Sequence, residues 1–217
     1  EAYNNRGSAY EQSGNSDRAI EDYTKAISLR PNYAMAYCNR GISYGRKGNY
    51  AQAIRDCSQA IEFKPDYTKA YDYRSMAYTE QRDYAQAIKD LTKVIELEPN
   101  NMTAYTRRGL AYLATRNFDL AIRDCTKAIA LVPNYAPAYQ ARGTAYAQTS
   151  RQRLAIDDFS RLIHLQPNNT DALNNRAAAF FLLRNYDLAW ADLNRCRQLG
   201  GTPNPALIAD LIKASGK

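Results

Sequence analysis

The sequence has few residues of the kinds that build metal or disulfide sites. Its 217 residues include four cysteines and one histidine. No two cysteines form a Cys-x-x-Cys pair, so neither a zinc cluster nor a disulfide framework is indicated, and we expect no cofactor and no metal. Cysteines without a pairing pattern are typical of a reducing compartment, which favours the cytoplasm.

Long apolar runs and concentrated charge are also absent. No stretch approaches about 18 consecutive apolar residues, so we expect no insertion into a membrane. The net charge of +7 favours acidic partners, but it is too dispersed to indicate nucleic acid. The chain begins with Glu1 rather than Met, which indicates that the numbered sequence starts inside a longer gene product.

The sequence repeats with a fixed period of about 34 residues, and no insertion interrupts it. Its clearest columns are Pro31, Pro65, Pro99, Pro133 and Pro167, and Ala19, Ala53, Ala87, Ala121, Ala155 and Ala189. Within each unit, apolar residues return every three or four positions on both sides of a central break such as Gly48-Asn49. This pattern predicts a hairpin of two amphipathic helices joined by a turn, and the hairpin is repeated along the chain.

A helical hairpin with small, aromatic, alanine and proline columns, in a unit of about 34 residues, resembles the tetratricopeptide repeat. In the second unit the matching residues are Tyr37, Gly41, Tyr44, Ala53, Ile54, Ala60 and Pro65. The resemblance implies an all-α fold, a right-handed α-α superhelix (solenoid) whose concave face is lined by the first helix of each hairpin. Each hairpin would bury its apolar faces against its neighbours.

The resemblance and the period together predict the domain organisation. We expect six tetratricopeptide repeats within residues 1–203, at about 1–33, 34–67, 68–101, 102–135, 136–169 and 170–203, and a C-terminal capping helix at 204–217. Asn204 and Pro205 would begin that helix as its N-cap and first residue. The amino end has no such cap, so either upstream residues precede it in the full protein or this edge meets another chain.

Two charged columns depart from the usual pattern of the family. The arginines are Arg6, Arg40, Arg74, Arg108, Arg142 and Arg176, and the aspartates are Asp22, Asp56, Asp90, Asp124, Asp158 and Asp192. Asp22 and Arg6 are equally far along the chain from the turn at Gly14, and Asp22 and Arg40 are equally far from Pro31. Each Asp can therefore reach the Arg of its own hairpin or that of the next. We predict a continuous structural ladder of Arg–Asp pairs that fixes the registry of the helices. Anion binding by the arginines is the alternative, and the equally strict acidic column disfavours it.

The columns expected on the concave face vary from unit to unit while the packing columns do not. This contrast identifies the surface that is free to specialise. The predicted partner-binding groove consists of Asn5, Met35, Asn39, Ile42, Lys69, Tyr73, Met76, Arg107, Leu110 and Leu113. An apolar floor with amide and cationic groups is the chemistry expected for binding a peptide segment. The alternative is that these residues pack against a neighbouring helix. Cys38 is also expected to face this groove.

The function that follows is a non-catalytic scaffold that binds a segment of another protein, for which an acidic segment is compatible with the positive charge. The alternative is self-assembly into homo-oligomers through the uncapped N-terminal edge. The sequence has no phosphate-binding glycine loop, nucleophile elbow or Cys/His pair, so we do not expect an enzyme. Nucleic-acid binding by tyrosine stacking is not expected either.

One subclass of the family holds the terminal carboxylate of chaperone peptides with Lys, Asn and Arg side chains on three successive helices. Only Asn39 and Lys69 match that arrangement in this sequence. A carboxylate clamp of this type is therefore not expected.

Overall fold

The computed structural model describes residues 1–216, which fold into thirteen α-helices without a strand. The helices are α1 (Ala2–Gln12), α2 (Ser16–Leu29), α3 (Ala34–Arg46), α4 (Tyr50–Phe63), α5 (Thr68–Glu80), α6 (Tyr84–Leu97), α7 (Met102–Ala114), α8 (Phe118–Leu131), α9 (Ala136–Gln148), α10 (Gln152–Leu165), α11 (Thr170–Leu182), α12 (Tyr186–Gln198) and α13 (Pro205–Ser215). The helices α1 to α12 form six consecutive hairpins, so the structure is all-α, as the period predicts.

The chain divides into two compact units, Glu1–Ala104 and Tyr105–Lys217. In the first unit each helix from α1 to α5 packs on the next one along the chain. In the second unit α8 to α12 do the same, and α13 packs on α12. Packing of consecutive helix pairs is typical of a helical solenoid.

The turn inside each hairpin requires one residue in the left-handed region. Gly14 and Gly48 occupy it with φ of +79° and +77°, where glycine has no Cβ to clash. In the next four hairpins the corresponding residues are Arg82, Arg116, Ser150 and Arg184, with φ between 58° and 62°. The turn geometry is therefore kept even where the residue is not glycine.

The two helices of a hairpin approach closely because small residues face each other. The recurring alanines of the second helices, such as Ala19 and Ala121, are fully buried. Opposite them, a Cβ added to Gly109 would lie 2.8 Å from Cys125 Sγ, and one on Gly143 would lie 2.9 Å from the Phe159 ring. Larger side chains at these positions would force the helices apart.

In each hairpin the arginine of the first helix binds the aspartate of the second through two hydrogen bonds. The pairs are Arg6–Asp22, Arg40–Asp56, Arg74–Asp90, Arg108–Asp124, Arg142–Asp158 and Arg176–Asp192. Nε donates to Oδ2 and Nη2 to Oδ1 over 2.6–3.0 Å. All six aspartates are buried. This is the planar, two-pronged geometry in which a guanidinium binds a carboxylate most strongly.

The link between successive hairpins differs from the predicted one. Each of the six aspartates accepts from the arginine of its own hairpin, and none of the hydrogen bonds described here joins it to the arginine of the following hairpin. The arginine makes the link instead, since its Nη1 donates to a hydroxyl of the preceding hairpin. These contacts are Arg40–Thr24, Arg74–Ser58, Arg142–Thr126 and Arg176–Ser160, at 2.8–3.1 Å.

The tyrosine columns flank the arginines. The Arg74 guanidinium lies 5.5 Å from the ring centroid of Tyr71 and 6.0 Å from that of Tyr78, one turn away on either side. Arg142 lies 5.8 Å from both Tyr139 and Tyr146. Aromatic faces attract a cation at this range, so the rings stabilise the same charges that the carboxylates bind.

Candidate partner-binding groove

A cavity of about 350 Å³ lies between the first helices of the second and third hairpins, α3 and α5. Ile42 and Arg46 of α3 line one side, and Tyr73, Met76 and Glu80 of α5 line the other. Ile42 is buried, whereas the Met76 side chain is 40% exposed. The walls are mainly apolar, and the cavity has room for an apolar side chain of a partner.

A second cavity, of about 340 Å³, extends the first toward α1. Glu11 of α1, Asn39 of α3 and Lys69 of α5 are among its lining residues, and it shares Ile42 and Tyr73 with the first cavity. Because the two cavities share walls, they form one groove across α1, α3 and α5. We call this surface the α1–α3–α5 groove.

A row of hydrogen bonds crosses this groove from helix to helix. Asn39 Nδ2 donates to Asn4 Oδ1 over 3.1 Å, and Lys69 Nζ donates to Asn39 Oδ1 over 3.3 Å. The Lys69 ammonium also lies 5.9 Å from the centroid of the Tyr73 ring. The row uses one of the three ammonium hydrogens of Lys69, which is exposed, so the cation can bind a further acceptor.

Glu11 neutralises the second cation of the groove. Its carboxylate accepts hydrogen bonds from Arg46 Nη1 over 2.6 Å, from Ser16 Oγ over 3.0 Å and from Ser43 Oγ. Burial raises the pKa of Glu11, but the hydrogen bonds from Ser43, Arg46 and Ser16 outweigh it, so the pKa lies below its usual value. Arg46 is thus paired with an ionised carboxylate, which leaves Lys69 as the cation without a carboxylate partner in the groove.

The structure brings five of the predicted groove residues together as walls of these cavities: Asn39, Ile42, Lys69, Tyr73 and Met76. Met35 is exposed beside them, and its Sδ accepts a hydrogen bond from Asn4 over 3.7 Å. Asn5 does not join them. It is exposed, and the preceding residue, Asn4, takes its place in the row of hydrogen bonds. Asn5 occupies the same repeat position as Asn39 and Tyr73, but on α1 it lines neither cavity.

Cys38 does not face the groove, contrary to expectation. It is fully buried in a cluster with Ile42, Ala60 and Ala70. A hydrogen bond with the Cys57 thiol lowers the pKa of the Cys38 thiol although burial opposes this. The thiol belongs to the interior that supports the groove.

The other three predicted groove residues lie on α7, in the second compact unit. Leu110 is exposed, while Arg107 and Leu113 are half-buried. None of the three lines the α1–α3–α5 groove. The predicted set of ten residues is therefore not a single surface of the first unit.

Over residues 1–216 the structure brings together no group of three or more His, Cys, Asp and Glu side chains that could hold a metal ion. In the same range no helix has both the length and the apolar character that crossing a bilayer requires.

The family follows from a comparison of the sequence with known families. The sequence profile of the tetratricopeptide repeat matches residues 1–33, 34–67, 74–136 and 141–200. The chain belongs to the tetratricopeptide repeat family. This membership makes it a protein-interaction scaffold, and proteins built from tetratricopeptide repeats are generally not enzymes.

Solved tetratricopeptide structures share the fold. The crystal structure of MamA is 25% identical and covers 74% of this chain and 94% of its own, with a TM-score of 0.71. A tetratricopeptide repeat protein from Parabacteroides merdae is 19% identical. The match covers 99% of this chain and 83% of that protein, with a TM-score of 0.79. YrrB, described as having an unusual peptide-binding site, is 20% identical. The match covers 91% of this chain and 100% of YrrB, with a TM-score of 0.75. A search of curated proteins gave no match.

Proposed function

We propose that this tetratricopeptide chain is a non-catalytic scaffold whose α1–α3–α5 groove binds an extended segment of a partner protein. The observation that carries the proposal is the groove itself. It combines an apolar cavity with a cation that has no carboxylate partner, on three neighbouring first helices.

The apolar cavity supplies the anchor. Ile42, Tyr73 and Met76 offer an aliphatic, an aromatic and a thioether surface around about 350 Å³. A methionine side chain adapts its shape to different ligands, so the cavity suits a range of apolar residues. Buried apolar anchors carry most of the affinity in interfaces of this kind.

Lys69 and the asparagine row supply orientation. The Lys69 ammonium is held over the Tyr73 ring, where it is ready to bind an acidic group of the partner. Asn39 Nδ2 carries two donor hydrogens and uses one on Asn4, which leaves the second for a peptide carbonyl. The preferred ligand is therefore an extended segment with an apolar residue close to an acidic one.

The test is selection of peptides from a displayed random library on the intact chain, followed by measurement of Kd by fluorescence anisotropy. We expect the selected peptides to combine an apolar and an acidic residue, and Lys69→Glu to weaken them at least about tenfold. Lys25→Glu makes the same charge change at an exposed site on α2 and serves as the control, with a Kd within about twofold of the original. Equal Kd values for the two variants would refute the groove assignment.

Self-association through the edge formed by α1 is a second candidate function. The Arg6 side chain there is 58% exposed, against 15% for Arg40, whose Nη1 bonds Thr24 of the preceding hairpin. A second copy could cover this arginine in the same way. Light scattering over a range of concentrations tests it, and a constant monomer mass would exclude it.

A further inference from the structure

We propose that the second helices of the last three hairpins, α8, α10 and α12, carry a second docking surface, for an acidic, leucine-bearing segment of another protein. Leu120, Leu154 and Leu188 occupy the same place in three successive repeats, each as the third residue of its helix. Their side chains are 36%, 45% and 50% exposed. This surface lies on different helices from the α1–α3–α5 groove and does not depend on it.

The fold does not require leucine at this position. In the first three hairpins the same column holds Arg18, Gln52 and Gln86. The core position is the next residue along each helix, such as Ala121 or Ala155, which is fully buried. Apolar residues that recur only where packing does not need them indicate an interaction surface.

The leucines lie at neighbouring helix starts. Arg151 Nη2 donates to Asp119 Oδ1 over 2.7 Å, and these residues come shortly before Leu154 and immediately before Leu120. The helices α10 and α12 both pack on α11, so Leu188 lies on the hairpin that follows the one with Leu154. The three leucines therefore occupy equivalent positions on successive hairpins of the second unit.

Basic residues accompany the leucines. Arg123 and Lys127 follow Leu120 by three and seven residues, the spacing that places side chains on one helix face. Arg161 and Arg195 occupy the position of Lys127 in the next two hairpins. Residues 105–217 contain 15 Lys and Arg against 8 Asp and Glu, whereas residues 1–104 contain 14 of each, so the whole excess of +7 lies in the second unit. This distribution favours an acidic partner.

The surface suits a protein segment better than an anionic membrane. Each helix presents one half-exposed leucine rather than the broad apolar face with which amphipathic helices insert into lipid. Arg151 is paired with Asp119 beside Leu120, so this cation is already bound to a carboxylate rather than open to an anionic headgroup. A peptide can place its acidic groups over the other basic residues and leave the Asp119–Arg151 pair intact.

The experiment uses the intact chain and a fluorescent synthetic peptide of about 20 residues, long enough to form an isolated helix, with leucine every third or fourth position and glutamate between. A second peptide carries lysine in place of glutamate, and a third carries serine in place of leucine. The protein variant is Leu120→Gln/Leu154→Gln/Leu188→Gln, which installs the residue that this chain already has at Gln52 and Gln86. Because the ligand proposed for the α1–α3–α5 groove is also apolar and acidic, the chain with its native leucines and the triple variant both carry Lys69→Glu, which weakens binding in the groove.

We expect the acidic leucine peptide to bind the Lys69→Glu chain with a Kd that rises with salt, and both altered peptides to bind at least about tenfold more weakly. In the Lys69→Glu background the triple leucine variant should lose at least about tenfold in affinity with an unchanged melting temperature. Absence of peptide binding, or equal binding by the triple variant, would overturn the proposal. So would leucine-dependent binding to phosphatidylserine vesicles without peptide binding, or leucine-dependent self-association, since these assign the surface to a membrane or to a second copy.

Discussion

Arg74 donates a hydrogen bond to Ser58 across the boundary between two hairpins, with 2.8 Å between Nη1 and Oγ. The same guanidinium donates to both oxygens of Asp90 within its own hairpin, over 2.7 and 2.8 Å. An ionised carboxylate only accepts hydrogen bonds, whereas a guanidinium has five donors in a plane. One arginine can therefore join the two helices of its hairpin and tie that hairpin to the preceding one.

The helix α8 contains one aspartate in a buried ion pair and one in an exposed ion pair. Asp124 is buried and accepts both bonds of Arg108, whereas Asp119 is exposed and pairs with Arg151. We expect Asp124→Ala to lower the free energy of unfolding by about 3–5 kcal/mol, because the guanidinium loses its carboxylate away from water. Asp119→Ala should cost less than about 1 kcal/mol. Urea denaturation measures both, and similar losses would contradict the structural role of the Arg–Asp pairs.

The hydroxyl contacts between hairpins should contribute a smaller amount. Removal of the Ser58 hydroxyl in Ser58→Ala takes away the acceptor of Arg74 Nη1, so we expect a loss of about 1 kcal/mol. Ser28 is exposed and bonds only the carbonyl of Lys25 in its own helix, so Ser28→Ala is the control and should leave the free energy of unfolding within about 0.5 kcal/mol. If Ser58→Ala is as neutral as the control, the serine does not tie the hairpins together.

The sequence predicts the hairpins and the choice of charged columns, but not the pairing between hairpins. The constant period and the equal distances from a turn are enough to place Arg6 opposite Asp22. Counting could not separate Arg6 from Arg40 as the partner of Asp22, because that choice depends on the offset between stacked hairpins. The hydroxyl column that includes Thr24 and Ser58 carried the missing signal, since it recurs two residues after the aspartates.

The groove is predicted less completely than the fold. Asn39, Lys69 and Tyr73 come from columns that vary, and the structure places them together. Asn5 shares the repeat position of Asn39 and Tyr73 but lines neither cavity, and the neighbouring Asn4 accepts the hydrogen bond from Asn39. The exposed leucines of the second helices were missed because their column is apolar in only half of the hairpins.

Two glycines of α3 should respond to alanine in opposite directions. A Cβ on Gly41 would lie 3.0 Å from Cys57 Sγ and 3.2 Å from the carbonyl oxygen of Ala53, so Gly41→Ala should destabilise the chain by about 1–3 kcal/mol. A Cβ on Gly45 meets only the Ala53 side chain at 3.8 Å. Gly45→Ala should therefore stabilise the helix by about 0.5–1 kcal/mol. Thermal unfolding distinguishes them, and a stabilised Gly41→Ala would show that the hairpin crossing is not tight.

The carboxylates of Asp22 and Asp158, both in Arg–Asp pairs, should protonate at different pH values. The hydrogen bond from Arg6 holds the pKa of Asp22 below its usual value, so this group stabilises the fold above about pH 4 and that contribution is lost as pH falls through the folded pKa. Burial raises the pKa of Asp158 and outweighs the bonds from Arg142, so its contribution favours the fold at low pH and is lost as pH rises through the folded pKa. Carboxyl NMR titration should show Asp158 protonating at higher pH than Asp22, and the reverse order would contradict these assignments.

We expect the constant columns to hold the repeats together and the varied columns of the first helices to bind a partner. Arg74 and Met76 are two residues apart on α5, one in each class, so the most direct test compares Arg74→Leu with Met76→Gln for unfolding and for Kd of a library-selected peptide. We predict that Arg74→Leu loses about 3–5 kcal/mol of unfolding free energy and, while folded, keeps its Kd within about twofold. Met76→Gln should weaken the peptide at least about tenfold and change stability by less than about 0.5 kcal/mol. Unchanged peptide affinity in Met76→Gln together with unchanged stability in Arg74→Leu would contradict the division between the two classes.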